Sequence, residues 1–260
     1  MTVAQAADYD ALREASANRV PAGLVTVVKG PLLGRKLAVI AGVTSGSLGD
    51  ADLDAIAIAG VEELLAAETS ETRAIRHNGE EFELFFDVYP PSPTLLIFGA
   101  VHVSQALTRL AKMIGFRVIV SDARAKLATR ERFPEADEII QAWPDDALLQ
   151  VSIEPNTFVA ILTHDPKFDE PALIGTLESK AAYIGAVGSR KTNRERKERL
   201  RAAGVPDAQI EKIHGPVGLD IGASTPEEMA IAIIAEIIAV RRGRKGGPLS
   251  ESTGAIRGNG

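Results

Sequence analysis

The sequence contains no cysteine. Disulfides, thiolate metal ligands, iron–sulfur clusters, persulfide carriers and thiol nucleophiles are therefore excluded together, and any sulfur chemistry around this protein has to be done by a partner. Aromatic residues make up 5% of the chain, with one tryptophan, and show no stacking pattern suited to nucleic acid. Basic residues are no excess either: 29 Lys and Arg stand against 35 Asp and Glu, a formal net charge of −6, which disfavours general binding to nucleic acid or to an anionic membrane. Long apolar runs are missing as well. The most apolar stretch, Met229 to Val240, is too short to span a bilayer and contains Glu236. The first twenty residues carry acids and polar groups where a signal peptide would be apolar, so they read as a short helix of a soluble, cytoplasmic protein. What is present is a chain of 260 residues, 45% apolar and 25% charged, which can bury a substantial core.

The prolines divide it. Pro90-Pro91-Ser92-Pro93 cannot lie in a helix interior or a central strand, and the hydrophobic pattern changes across it. The boundaries read 1–89 for a small α+β domain, 90–93 for a linker, 94–242 for a second domain and 243–260 for a flexible Gly- and Ser-rich tail. In the first domain, LVTVV and LAVIAGV between residues 24 and 43 predict a hairpin, and Asn78-Gly79 predicts a second one joining 73–76 to 81–88. Gly46-Ser47-Leu48-Gly49 reads as a glycine-rich turn into a helix, with Asp50, Asp52 and Asp54 at its positive end and Leu53, Ile56, Ala57, Val61, Leu64 and Leu65 on its buried stripe. After Thr94, near-continuous apolar strands (TLLIF, RVIVSD, DEII, TFVAILT, AAYIGAVG) alternate with helical segments, the pattern of a parallel sheet covered on both faces. The fold class is α/β: a small N-terminal α+β domain followed by a Rossmann-like parallel-sheet domain. Thr225-Pro226-Glu227-Glu228 predicts a capping box at the last helix. No repeat of 20 to 50 residues is present.

In such a sheet, ligands bind outside the carboxyl ends of the strands, and there this sequence turns polar. Gly99-Ala100-Val101-His102 follows the first strand, Asp122 ends the second, His164-Asp165 follows TFVAILT and Gly188-Ser189-Arg190 follows AAYIGAV; His214 and Asp220 lie in a later loop. The first turn approaches the dinucleotide pattern G-x-G-x-x-G, with Asp122 placed to accept ribose hydroxyls, but Val101 and Ser104 occupy the second and third glycine positions. An NAD(P)-dependent oxidoreductase is thus the alternative reading and not the first. Glycines and a helix start at Gly185 to Arg190 suit an anion held by backbone N–H groups, Ser189 and the Arg190 guanidinium. The charges that follow, from Lys191 to Arg201, read as a solvated helix face. His102, His164, Asp165, His214 and Asp220 are metal-ligand types without ligand spacing, so no metal site is assigned, and Ser189 lacks the G-x-S-x-G setting of a nucleophile.

Four ordered motifs carry a family resemblance: Leu96-Ile97-Phe98-Gly99-Ala100 with His102-Val103, Leu162-Thr163-His164-Asp165, Tyr183 through Arg190, and Ile213-His214-Gly215-Pro216-Val217-Gly218-Leu219-Asp220-Ile221-Gly222 ahead of Thr225-Pro226-Glu227-Glu228. Together they resemble the XdhC/CoxI family, accessory proteins of molybdenum hydroxylases such as xanthine dehydrogenase and carbon monoxide dehydrogenase. The resemblance implies a factor that binds molybdenum cofactor and helps insert it into the apoenzyme, more a binding chaperone than a catalyst. It further implies a molybdenum hydroxylase partner, a cysteine desulfurase as a further partner, and a homodimer. Its ligand-facing positions fall on Gly99, His102, Asp122, His164, Asp165, Gly188, Ser189, Arg190, His214 and Asp220. Two positions depart from the family's pattern: Val101 replaces a glycine, and Asp52 stands where many members carry a cysteine. A carboxylate can neither carry persulfide sulfur nor act as a soft ligand, so cofactor has to be held through its pterin and phosphate.

Overall fold

The computed structural model describes residues 3–18 and 20–251; the end of the predicted tail, 252–260, lies outside the described residues. The chain forms two compact units, Met1–Ser92 and Pro93–Gly260.

The first unit follows from period-two alternation. It contains α1 (Val3–Ala17), β1 (Ala22–Lys29), β2 (Lys36–Ile40), β3 (Val43–Ser47), α2 (Ala51–Ala67), β4 (Glu71–His77) and β5 (Glu80–Tyr89). The five strands make an antiparallel sheet in the order β3-β2-β1-β5-β4. Along β1, Val25 and Val27 point to the face covered by α2, and Ala22 and Leu24 join Leu12 and Ala15 of α1 on the other face. Both expected hairpins are present, and Asn78-Gly79 makes its turn with positive φ at both residues. The 46–49 segment differs from expectation. Ala41 and Gly42 also have positive φ and turn the chain straight back, so Gly46 and Ser47 belong to an exposed edge strand, β3. The true entry to α2 is Asp50, which accepts the N–H groups of Asp52 and Leu53. Asp52 itself is exposed in the first turn.

The second unit is the Rossmann-like half. Its elements are β6 (Thr94–Phe98), α3 (His102–Met113), β7 (Arg117–Ser121), β8 (Glu138–Ile140), α4 (Pro144–Leu148), β9 (Thr157–Ile161), α5 (Pro166–Leu177), β10 (Tyr183–Ala186), α6 (Arg190–Ala202), α7 (Asp207–Ile210), β11 (Ile213–His214) and α8 (Pro226–Arg241). The sheet order is β8-β7-β6-β9-β10-β11 and every pairing is parallel. From β6 the chain first builds outward through β7 and β8, then returns to the other side of β6 as β9, so the switch point lies between β6 and β9. The central strands are buried on both faces: Leu95 and Ile97 pack with Leu107 of α3 and Ile233 and Ile237 of α8, while Leu96 and Phe98 pack with Leu173 of α5 and Leu200 of α6. Helix α8 carries the expected capping box, Thr225 with Glu228. No helix among the described residues is long and apolar enough to cross a membrane. The predicted tail is partly described, and Leu249–Glu251 form a short 3₁₀ turn.

Candidate functional site at the strand carboxyl ends

The turn after β6 is shaped by close packing at the switch point. Gly99 has φ of +104°, and a Cβ there would stand 2.7 Å from the Thr163 methyl and 3.0 Å from the Thr163 nitrogen, so only glycine fits between the β6 and β9 loops. Ser104, at the third glycine position of the dinucleotide pattern, is fully buried and donates its hydroxyl to the Gly99 carbonyl. Val101 precedes α3 without offering a side-chain cap, and His102 is exposed in the first turn.

Asp122 is committed within the protein. Oδ2 accepts the Ala100 N–H at 2.8 Å and an Arg124 guanidinium N–H at 2.7 Å; Oδ1 accepts the Arg124 backbone N–H and Nε, both at 2.9 Å. Burial pushes this carboxyl up, but the Arg124 side chain and the two backbone N–H groups outweigh burial and hold it below the usual carboxylate range. With two donors on each oxygen, Asp122 fixes the Gly99–Ala100 turn to the β7 end instead of presenting a bare acceptor for a ribose. Asp165 caps α5 through the Lys167 N–H at 3.0 Å, and its charge, like that of Asp122, favours protonated Arg124. Arg132, in the crossover between β7 and β8, donates to the carbonyls of Ala100 at 2.9 Å and Leu127 at 2.8 Å and adds a half-buried cation behind the same turn.

On the β10 side, the charges of α6 form a largely solvated face, as read from the sequence, with one exception, Arg196. Asn193, Arg196 and Leu200 fall on one stripe and are buried. Arg196 is 2% exposed; its guanidinium donates to Asp169 at 2.9 Å and to the Val187 carbonyl at 2.7 Å, and also to Asn193 Oδ1. Asn193 in turn donates to the carbonyls of Gly188 and Ser189, and the Thr163 hydroxyl donates to Asp169. One buried network therefore braces the loop after β9 against the loop after β10. Burial pushes the Asp169 carboxyl up, against the pull of Thr163, Arg196 and His164.

Ser189 caps α6 by accepting the Thr192 N–H at 3.1 Å. Arg190 follows it, exposed, and among the described residues no carboxylate forms an ion pair with it. It lines a groove of about 420 Å³ with Gly188, Val217, Gly218, Asp220 and Met229. His214 lies elsewhere, against Glu236 of α8, with Nδ1 3.3 Å from Oε1. Glu236 also accepts the Tyr183 hydroxyl and, at 2.8 Å, the Gly218 N–H. Burial raises the Glu236 carboxyl, yet the hydrogen bonds of His214, Tyr183 and Gly218 prevail and lower it.

The structure thus sorts the ten sequence-derived candidates. Gly99, Asp122 and Asp165 gather around Arg124; Gly188, Arg190 and Asp220 share the groove, with Ser189 capping the adjoining helix. His214 is tied to Glu236, and His102 and His164 are exposed near the starts of α3 and α5 and do not line the groove. Arg124, Arg132, Thr163, Asp169, Arg196 and Glu236 were missed. The available signal was a charge on an apolar stripe: Asp169 shares helical spacing with Ala172, Leu173 and Thr176, and Glu236 with Ala232, Ile233 and Ala239.

As a holder of cargo, the groove combines apolar walls with the Arg190 cation, and a side chain at Gly188 would crowd Thr192 at 3.2 Å. Among the described residues no three His, Cys, Asp or Glu side chains converge as a metal ion would require. The groove thus sets one guanidinium, Arg190, and one carboxylate, Asp220, among apolar side chains.

Comparison with known proteins agrees with this architecture. A family model described as the XdhC Rossmann domain matches residues 95–237. YqeB of Escherichia coli K12 is 34% identical over 170 residues, 65% of this chain and 31% of that protein. A probable xanthine dehydrogenase subunit of Bacillus subtilis 168 is 33% identical over 174 residues, 67% of this chain and 51% of its own length. The molybdenum cofactor insertion chaperone PaoD of Escherichia coli K12 is 31% identical over 129 residues, 50% of this chain and 39% of its own length. The aligned part thus spans from about a third to about half of these relatives. A crystal structure described as a xanthine dehydrogenase from Bacillus halodurans matches with a TM-score of 0.56 at 22% identity, covering 94% of this chain and 98% of that one, a likeness of fold.

Proposed function

The chain belongs to the XdhC family, and from that premise we propose that it is an accessory factor that binds molybdenum cofactor and helps insert it into a molybdenum hydroxylase of the xanthine dehydrogenase or carbon monoxide dehydrogenase type. The observation that carries this reading is the 31% identity, over half of the chain, to a protein named for molybdenum cofactor insertion. The geometry supports it: the groove at the strand ends sets the exposed Arg190 guanidinium, a partner for a phosphate, among apolar side chains, with Asp220 in the same lining.

In this reading the cargo brings the metal chemistry and the chain supplies grip. Arg190 pairs with the phosphate, backbone N–H groups at the start of α6 add to it, and the Arg196–Asp169 brace holds the two loops in register before cargo arrives. Gly99, His102, Asp122, His164, Asp165, His214 and Asp220 are assigned to shaping or contacting the same edge. With no cysteine in the chain, sulfuration of the cofactor falls to a partner such as a cysteine desulfurase. A homodimer and a cytoplasmic location complete the proposal.

The test is to purify the protein from cells that make molybdenum cofactor and to measure molybdenum and oxidised pterin per chain. Near-stoichiometric amounts of both are expected; their absence from folded protein contradicts the assignment. The switch point between β6 and β9 favours one second reading, an NAD(P)-dependent oxidoreductase, which the saturated Asp122 and the side chain of Val101 oppose. Calorimetric titration with nicotinamide nucleotides separates the two: no heat of binding is expected, and saturable micromolar binding would replace the first reading with the second.

A further inference from the structure

Trp143 is the only tryptophan of the chain and is 50% exposed, at the residue before α4. A large aromatic side chain whose sole task is packing buries most of its surface. This one stacks on Phe168, with ring centroids 4.4 Å apart and planes inclined by 5°, and leaves half its surface to solvent. Phe168 sits in the first turn of α5, beside the switch point, with the Arg124 guanidinium 5.7 Å from its ring centre. It also lines a small cavity with Gly99, Ser121, Asp122 and Thr163, whose volume of about 10 Å³ matches one water. Ser121 is 1% exposed, and among the described residues its Oγ has no hydrogen-bond partner. A half-exposed indole stacked on Phe168, a fixed Arg–Asp pair and a buried hydroxyl thus lie near the carboxyl ends of β7, β6 and β9.

We propose that Trp143 and Phe168 form a stacking platform for a planar heteroaromatic ring, a pterin or a nucleobase. Such a ring supplies a π-face for the indole, which neither an aliphatic ligand nor a sugar does. The inference rests on the reading of the molecule as a cofactor carrier and deepens it, by giving the cargo's ring a contact region apart from the Arg190 groove.

Indole emission reports on Trp143 alone, because no other tryptophan is present. The full chain is titrated with cytidine monophosphate and, separately, with an oxidised pterin, reading indole emission and calorimetric heat. Saturable quenching of the parent is expected, and calorimetry is expected to give an affinity about tenfold weaker in Trp143→Ala and largely kept in Trp143→Phe. Response to the nucleotide alone assigns the nucleobase, and response to the pterin alone assigns the pterin. The proposal is overturned if neither probe gives a saturable heat of binding up to millimolar concentration, or if folded Trp143→Ala binds as tightly as the parent. Molybdenum and pterin per chain, measured on the same proteins, separate this outcome from that of the carrier reading. Full cargo in Trp143→Ala removes the platform and keeps the carrier; quenching in a parent chain that never holds cargo does the reverse.

Discussion

The two sides of the parallel sheet treat their charges in opposite ways. On the β6–β7 side, Asp122 is buried and receives four hydrogen bonds, two on each oxygen, so its charge is consumed in holding the Gly99 turn. On the β10 side the holding is done from behind, by Arg196, Asp169 and Asn193, and the residue at the front, Arg190, keeps its guanidinium open to the groove. The difference teaches that a charged residue at a strand end is a candidate for ligand contact only when another group already secures its loop. The β10 loop has such a group; the β6 turn uses its own acid.

The largest expected effect comes from removing the brace. Arg196→Met leaves Asp169 without its guanidinium partner, and Asp169→Ala leaves Arg196 without its carboxylate. Both groups are almost wholly buried, so each change is expected to cost about 3 to 5 kcal/mol in urea unfolding, and the double variant less than the sum of the two. Single losses below about 1 kcal/mol would show that the network is not what holds the two loops together.

Next is the β6 side. Asp122→Ala strips the buried Ala100 N–H of a charged acceptor, at about 1.5 to 3 kcal/mol; the ion pair adds little, since Arg124 is half exposed. The effect depends on pH with a fixed sign. The folded state lowers the Asp122 pKa, so its contribution is complete above the unfolded value of about 3.9 and is lost as pH falls through the folded value. Urea midpoints of parent and Asp122→Ala, measured from pH 6 downward, should therefore converge in acid. A gap that widens in acid would reverse the assignment.

The smallest stability effect belongs to Arg190, the residue proposed to grip the cargo. Arg190→Ala is expected to change unfolding free energy by less than about 0.5 kcal/mol, because the exposed side chain supports nothing else in the fold. A large destabilisation would make Arg190 a second brace and dissolve the contrast between the two sides.

How far these roles were legible follows from the kind of pattern each leaves. Strands buried on both faces, the Asn78-Gly79 turn and the Thr225–Glu228 capping box are local patterns, and the sequence shows them without help from the rest of the chain. Gly46-Ser47 misled because Ala41, a residue with a Cβ at positive φ, joins Gly42 in reversing the chain, and no strong turn signature marks that pair. The site was legible as a set of loops but not as a division of labour. Arg196 hides among Lys191, Arg194, Lys197, Arg199 and Arg201, and only its position on the Asn193–Leu200 stripe marks it as buried. Asp122 looks like a ligand acceptor until its donors, Ala100 at a distance of 22 residues and Arg124 beside the strand end, are seen together.

The most direct test of the central claim is equilibrium binding of molybdenum cofactor to the parent chain, Arg190→Ala and Arg190→Glu under identical conditions. A carrier that grips its cargo's phosphate from the β10 groove requires a loss of about tenfold to a hundredfold for Arg190→Ala and a further loss for Arg190→Glu. Equal affinity in all three proteins would contradict it.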